Sequence, residues 1–311
     1  MQKELSKKNK IENKNHCRIF TMENLLCLLI IICPILDVSS FIFRNFFNTN
    51  FSISTFVRPI IPIIAITYIF FKDKIKPQII IAGIAYLGYA ICHVYIFYKI
   101  KTGCAYGNEL REIQYLVNYT FMVMNLFIYI YFFVVKNREK EITKQTVGNS
   151  LEKVKKAVLI ALTIYIVLMY LALITKTSSF TYGETQVGYK GWFESGNSIG
   201  TIMLLSLFIV LPMLNKENRL SIRIWVLMIT VLVGAYLCTL LGTRTGLFGF
   251  IIVVMAYIAF TVLHNLLNKN KLNKKILTIG VIILVLVGIA VTIFGSKTIE
   301  RRRELKNKEN E

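Results

Sequence analysis

Apolar runs of membrane-spanning length recur along the whole chain and constrain its fold more than any other feature. A helix needs about 20 apolar residues to cross the hydrocarbon core of a bilayer. Such runs lie near 24–43, 55–71, 77–99, 114–135, 156–174, 197–214, 223–241, 246–264 and 275–295. Lipid cannot satisfy free backbone groups, and the runs lack the strict alternation of barrel strands. The sequence therefore predicts an all-α polytopic membrane protein with about nine transmembrane helices.

The segments between these runs contain no internal repeat and no stretch long enough to fold alone. Residues 1–23 form a basic tail, 24–295 a single transmembrane helical domain, and 296–311 the beginning of an external loop. The 136–156 linker predicts a helix on the cytoplasmic surface. External loops are predicted around 100–113 and 175–196.

Positive charge dominates the polar segments, with 37 Lys and Arg against 17 Asp and Glu. The basic residues fall in short blocks between apolar runs, and no nucleic-acid-binding motif accompanies them. They therefore indicate membrane topology and contact with anionic lipid headgroups, and no nucleic acid partner. A cytoplasmic N-terminus places most basic loops inside and leaves the C-terminus outside. The six cysteines form no Cys-x-x-Cys pair and indicate neither a metal site nor a disulfide framework.

Polar residues inside or beside the spans collect toward the predicted outer side. They are Asp37, Arg58, His93, Asn118, Asn125, Glu194, Asn197 and Arg244, with Arg111 just ahead of the fourth span. Ionisable residues near hydrocarbon are costly and generally face a bundle interior, a partner or a wet cavity. The asymmetry predicts a polar cavity that opens outward.

A structural role is the alternative for each of these residues. Arg58 and Arg244 can extend to the lipid headgroups, and Asp37 can pair with Arg44 or Arg58. His93 has no orienting carboxylate nearby in sequence, which favours a packed bundle residue over a base. Interhelical hydrogen bonds are the usual role of amides within spans, here Asn118 and Asn125.

The turn Gly242–Gly246 separates two apolar runs and carries Arg244 at its centre. Its glycines let a ligand approach the backbone, and a guanidinium can grip phosphate oxygens bidentately. The start of the next helix adds free backbone N–H groups and a positive dipole end. These features together predict a phosphate-bearing ligand on the outer face.

Two motifs around this turn are similar to those of a known family. The segment GYKGWFESGNSIGTIMLLSL joins a glycine- and aromatic-rich helix start to Asn-x-x-Gly, and LLGTRTGLFGFIIVV contains a Thr-Arg-Thr-Gly hairpin. CPILDVSSFI adds a similarity in the first span. These motifs follow one another along essentially the whole chain in the order typical of one family. The sequence thus resembles the O-antigen ligase and polysaccharide polymerase family of bacterial membrane proteins.

The resemblance implies a glycosyltransferase of the lipid-linked oligosaccharide type in the bacterial plasma membrane. Such a protein passes a glycan from undecaprenyl diphosphate to a hydroxyl of an acceptor glycan or lipid, without a nucleotide sugar, a required metal or another cofactor. Arg244 matches the hairpin arginine that holds the diphosphate, and Arg301 in RRREL matches a second family arginine, so both are expected to be catalytic. The residues expected to bind substrate are Arg58, Arg111, Glu194 and Asn197.

The chain also departs from the family pattern near its C-terminus. It stops at Glu311, where the family's large external loop would extend, and none of its three histidines lies where that loop supplies a base. This predicts a C-terminally truncated polymerase or ligase that retains donor recognition, with loss of turnover as one expected consequence of the missing loop. A carrier or flippase for lipid-linked glycans, or a non-catalytic remnant, is the alternative.

Overall fold

The structure is a computed structural model that describes residues 21–47, 53–72, 77–100, 109–136, 144–182, 187–215 and 222–267. These ranges contain eight α-helices and one two-stranded sheet. The helices are α1 (Met22–Phe47), α2 (Ile53–Lys72), α3 (Pro77–Ile100), α4 (Glu109–Ile130), α5 (Lys144–Ile174), α6 (Gly196–Val210), α7 (Ile222–Leu240) and α8 (Arg244–Leu267). The strands are β1 (Ser179–Tyr182) and β2 (Val187–Gly191).

Each predicted span from 24–43 to 246–264 coincides with one of these helices, which confirms the helical architecture. Four helical segments are long and apolar enough to cross a membrane: Met22–Phe43, Gly83–Ile100, Gly148–Ile174 and Gly196–Met213. The described part of the other four helices contains shorter apolar segments. The chain thus has the architecture of an all-α polytopic membrane protein. The ninth span, 275–295, lies outside the described residues, and the count of nine and the orientation stay predictions.

The sequence predicted a surface helix in the 136–156 linker, distinct from the span that follows. Its residues from Lys144 onward form the beginning of α5, which continues without a break to Ile174. The segment LEKVKKAVLIAL contains good helix formers and no proline, so nothing in it interrupts the hydrogen-bond ladder. The amphiphilic part and the apolar part are therefore one helix of 31 residues.

The described residues group into two compact units. The first unit comprises Met1–Leu29 with Thr55–Glu152, and the second comprises Ile30–Ser54 with Lys153–Glu311. In the first unit, α4 ends in a π-helical turn at Tyr131–Val135, whose three aromatic residues are buried. Tyr129, two residues before this turn, donates a hydrogen bond to the Leu26 carbonyl at 3.0 Å.

The second unit contains a continuous hydrophobic core. It is built from α5, α6, α7 and α8, with Val38 of α1 also included. Its largest fully buried side chains include Leu162, Met169, Met203, Leu207 and Phe250. These residues recur at helical spacing on their helices, so each helix turns one apolar face to the core.

A short β-hairpin follows α5, in a segment where the sequence predicted only a loop. Phe180 pairs with Tyr189 and Tyr182 with Val187 in antiparallel register, with an irregularity between Ser179 and Phe180. Gly191 N–H donates to Ser178 Oγ at 3.0 Å, which closes the base of the hairpin. Aromatic and β-branched residues favour these strands. Strands of four or five residues are much shorter than a membrane span, so apolar runs of spanning length do not indicate them. The all-α prediction therefore missed this element.

Candidate functional site

The hairpin, the start of α6 and the turn between α7 and α8 meet at one end of the second unit. Gly188 of β2 lies so close to the Leu241 carbonyl, just beyond the end of α7, that a Cβ atom would collide with it. Thr181 of β1 lies in the same way against Gly196, the first residue of α6. These close approaches place the Arg244 turn beside the GYKGWFESGN segment.

The turn between α7 and α8 is tight and well defined. Gly242 has a φ of 66°, a conformation that residues with a side chain rarely adopt. Thr243 is fully buried, and its Oγ1 accepts a hydrogen bond from the Gly246 N–H at 3.0 Å. Thr243 is thus the N-cap of α8. Arg244 is the first helical residue, so its backbone position is fixed by the cap that precedes it.

The start of α6 is capped in a similar way. Ser195 has extended backbone geometry, and its Oγ accepts a hydrogen bond from the Ser198 N–H at 3.3 Å. Glu194, just before the cap, and Asn197, in the first turn, are both exposed. The two residues predicted to contact sugar therefore lie at an accessible helix start.

The helix starts of α6 and α8 lie side by side. A Cβ atom on Gly200, in the second turn of α6, would lie 3.8 Å from Thr243 Oγ1, the cap of α8. Both helices run away from this point, so their positive dipole ends are adjacent. The positive ends of two neighbouring helices favour an anion.

A cation that the sequence analysis did not single out also belongs to this end of the unit. Lys190 of β2 donates from Nζ to the Glu194 carbonyl at 2.9 Å, so its side chain reaches the segment that leads into α6. In the sequence, the position of this lysine inside the GYKGW motif is the feature that could have indicated it. We use the term helix-start site for Lys190, Glu194–Asn197 and Gly242–Arg244.

An aromatic and acidic layer lies directly beneath the helix-start site. Phe193 is 3% exposed, and its ring centroid is 5.5 Å from that of Tyr165 in α5. Tyr165 in turn donates a hydrogen bond to Asp37 Oδ2 at 2.7 Å. The sequence offered Arg44 or Arg58 as a structural partner for Asp37 and did not indicate Tyr165, which lies 128 residues away.

The remaining site predictions belong to the first unit or lie outside the described residues. Arg58 is half-buried in α2, and Arg111 lies in the first turn of α4; both helices belong to the first unit. Arg301 lies outside the described residues. His93 is half-buried in α3, with its ring centroid 6.0 Å from that of Tyr89. The substrate roles of Arg58 and Arg111 and the catalytic role of Arg301 stay predictions.

Metal-binding side chains do not cluster in the part of the chain that the structure describes. No group of three His, Cys, Asp or Glu residues there could hold a metal ion. The helix-start site instead joins two helix N-termini with the Lys190 ammonium group, and such groups bind phosphates.

The chain was compared with known protein families, curated proteins and solved structures. Residues 20–305 match the family described as O-antigen ligase like membrane protein. The chain belongs to this family. No curated protein and no solved structure shows a significant match. Membership indicates a membrane glycan ligase or polymerase, whose partners are in general a lipid-linked glycan and an acceptor.

Proposed function

We propose that this protein transfers a glycan from an undecaprenyl diphosphate carrier to an acceptor hydroxyl on the outer face of the bacterial plasma membrane. It would act as a polymerase or ligase of surface polysaccharide. The observation that carries the proposal is the helix-start site. There the adjacent starts of α6 and α8 lie close to Lys190, and Arg244 is the first residue of α8. Family membership independently supports a glycan ligase or polymerase.

The reaction needs stabilisation of negative charge on the leaving group. The acceptor oxygen bonds to the anomeric carbon of the donor sugar while the bond from that carbon to the phosphate oxygen breaks. The acceptor hydroxyl loses its proton, and the electron pair of the broken bond stays on the diphosphate. Groups already positioned around this diphosphate stabilise the charge without rearrangement, which is usually the largest catalytic term.

In this proposal the adjacent starts of α6 and α8 bind the diphosphate through backbone N–H groups. Arg244 adds a bidentate cation, Lys190 adds a second positive charge, and Arg301 neutralises the leaving group from the C-terminal segment. The other polar groups orient sugar hydroxyls: Glu194, Asn197, Arg58 and Arg111.

Replacement of Arg244 tests this assignment. Cells that depend on this protein for polysaccharide are given the wild type, Arg244→Ala or Arg244→Lys, and polymer and lipid-linked oligosaccharide are quantified. We expect Arg244→Ala to lower polymer by roughly 100-fold and to raise the lipid-linked pool, by analogy with removal of one charge-stabilising donor. Arg244→Lys retains part of the activity because it keeps the charge and loses the bidentate geometry.

Lys156→Ala is the matched control, because Lys156 is an exposed cation on α5 of the same unit. It should leave polymer unchanged. Normal polymer in the Arg244→Ala cells, at equal protein level, would contradict the role assigned to Arg244.

A vesicle assay separates glycan transfer from transport of the donor. Purified protein is reconstituted with lipid-linked oligosaccharide, with and without acceptor. Transfer predicts release of undecaprenyl diphosphate only when acceptor is present. Movement of the donor between leaflets in the absence of acceptor, with no release, would instead identify a carrier.

A further inference from the structure

The β1–β2 hairpin has two faces of different composition. Successive strand residues point to opposite sides, so Thr181 and Gly188 share one face. A Cβ atom on Gly188 would lie 3.1 Å from Thr181 Oγ1, in agreement with this alternation. The opposite face carries three aromatic residues, Phe180, Tyr182 and Tyr189, which we call the aromatic face.

The face with small residues packs on the ends of helices. Thr181 contacts Gly196 at the start of α6, and Gly188 contacts the Leu241 carbonyl beyond the end of α7. The base of the hairpin lies against α5, where a Cβ atom on Gly191 would be 3.4 Å from Met169 Cα. The hairpin therefore crosses the end of this helix group, and the aromatic face points away from the helix ends.

Two of the three rings of the aromatic face are exposed. Tyr182 is 38% exposed and Tyr189 is 40% exposed. The rings of Phe180 and Tyr189 form a cross-strand pair with centroids 5.3 Å apart, which fixes their orientation. A small hairpin ordinarily turns its large apolar residues inward, so aromatic rings on the outward face indicate a binding surface.

We infer that the aromatic face binds sugar rings of the glycan that this protein handles, next to the helix-start site. The inference rests on the proposed function for the identity of the ligand. Sugar rings present flat C–H faces that pack on aromatic rings, and their hydroxyls hydrogen-bond to tyrosine hydroxyls. The face lies over the helix ends and not along the apolar sides of the helices, and this position suits a water-soluble glycan better than lipid.

The hairpin also links the two subsites physically. Gly188 contacts Leu241, the residue before Gly242, and Lys190, which is itself part of the helix-start site, donates to the Glu194 carbonyl. A glycan whose diphosphate lies between the starts of α6 and α8 would have its first sugars within reach of this hairpin. Sugar and phosphate are then recognised by opposite sides of one short element.

A binding experiment can isolate the sugar contact. The probe is the oligosaccharide released by mild acid from the lipid-linked donor of the expressing cells, so it carries no diphosphate. Trp192 adjoins the hairpin, and its Nε1 donates to Thr177 Oγ1 at 2.8 Å. The chain has two tryptophans, Trp192 and Trp225. The Trp225→Phe protein in lipid nanodiscs thus reports binding through Trp192 fluorescence.

The double variant Tyr182→Ala/Tyr189→Ala should weaken binding of this probe roughly tenfold, since aromatic contacts contribute beyond their buried area. Tyr182→Phe/Tyr189→Phe keeps the rings and should lose roughly half to two-thirds of the affinity, as neutral hydrogen bonds contribute modestly. The control is Tyr170→Ala, an exposed tyrosine on the side of α5. Unchanged affinity in the alanine double variant, or no binding by the parent protein, overturns the inference.

Two further measurements separate this inference from its alternatives. Binding of undecaprenyl diphosphate should persist in the tyrosine variants and be lost in Arg244→Ala; if Arg244→Ala binds it normally, the proposed function fails while the sugar titration still stands on its own. Lipids with brominated acyl chains should quench Trp192 equally in parent and variant. Quenching that falls in the alanine double variant, with sugar affinity unchanged, would make the aromatic face a membrane contact and overturn the inference.

Discussion

Glycines serve different purposes in the two units of this protein. In the first unit, a Cβ atom added to Gly83 or Gly88 of α3 would meet no described atom within 4 Å. In the second unit, a Cβ atom on Gly188, Gly246 or Gly249 would collide with a neighbour. The same residue type is thus tolerated in one unit and required in the other. Small residues that permit close backbone approach are typical of functional helix packing in membranes.

Side-chain burial shows the same contrast. Along α3 most apolar residues are exposed, Ile91 at 69% for example, and Phe97 is the buried one among the described side chains of that helix. In α6 every helical turn contributes a residue to the core, such as Met203 and Leu207, both 0% exposed. Rigid packing in the second unit holds the helix-start site in place, because a close-packed interior transmits position from one element to the next.

The largest expected difference between the units comes from adding one methyl group to a glycine. Gly188→Ala introduces a Cβ at a φ of 73° and into the Leu241 carbonyl. Left-handed strain and overpacking together should lower the free energy of unfolding by more than about 3 kcal/mol. Gly88→Ala in α3 should instead raise it by up to about 1 kcal/mol, because alanine is the better helix former and the space is open.

Thermal unfolding of the purified variants in detergent measures both effects. The comparison depends on opposite signs: a lower melting temperature for Gly188→Ala and an equal or higher one for Gly88→Ala. Equal stability of the two variants would show that the hairpin does not pack on the turn between α7 and α8 as described.

A smaller contrast is expected between two tyrosine hydroxyls. Tyr165 in the second unit is 3% exposed and donates to the Asp37 carboxyl at 2.7 Å. Removal of this donor by Tyr165→Phe should cost about 2 kcal/mol, since the half-buried Asp37 carboxyl loses a hydrogen bond. Tyr86 in the first unit shares a 2.7 Å hydrogen bond with Thr120 Oγ1, a neutral partner that also donates to Leu116. Tyr86→Phe should cost about 1 kcal/mol or less.

Denaturant titration in mixed micelles compares the two phenylalanine variants. Asp37→Asn with Tyr165→Phe completes a double-mutant cycle for the first pair and measures its coupling energy. A coupling energy close to zero would show that the hydrogen bond between Tyr165 and Asp37 does not stabilise the protein beneath the helix-start site.

The helices could be predicted from the sequence because lipid permits so few alternatives. Apolar length alone located α1, and residue types at the turn located the start of α8 near Arg244. The hairpin could not be found in this way. Its strands have four and five residues, and it packs against Gly196 nearby and against Leu241, which lies far away in sequence.

The site was predictable only where a motif marked it. Arg244, Glu194 and Asn197 lie in two conspicuous segments, and the structure brings those segments together. Lys190 was overlooked because a basic residue beside aromatic ones resembles a lipid-headgroup contact. Tyr165 lies within an apolar span and shows no polar signal of its own. Its role follows from Asp37, which approaches it through tertiary packing.

The smallest expected contrast concerns two threonines in helices of different units. Thr243 is buried and caps α8 through the Gly246 N–H, whereas Thr67 is exposed within α2 and bonds back to the Ile63 carbonyl. Thr243→Ala should lower the free energy of unfolding by about 1 kcal/mol, and Thr243→Ser should restore most of it because serine caps as well. Thr67→Ala should be neutral or slightly stabilising, since its hydrogen bond competes with the helix backbone. Unfolding of all three variants under one set of detergent conditions compares them directly. If Thr243→Ala proved as neutral as Thr67→Ala, the cap would not be what holds the backbone of Arg244 at the start of α8.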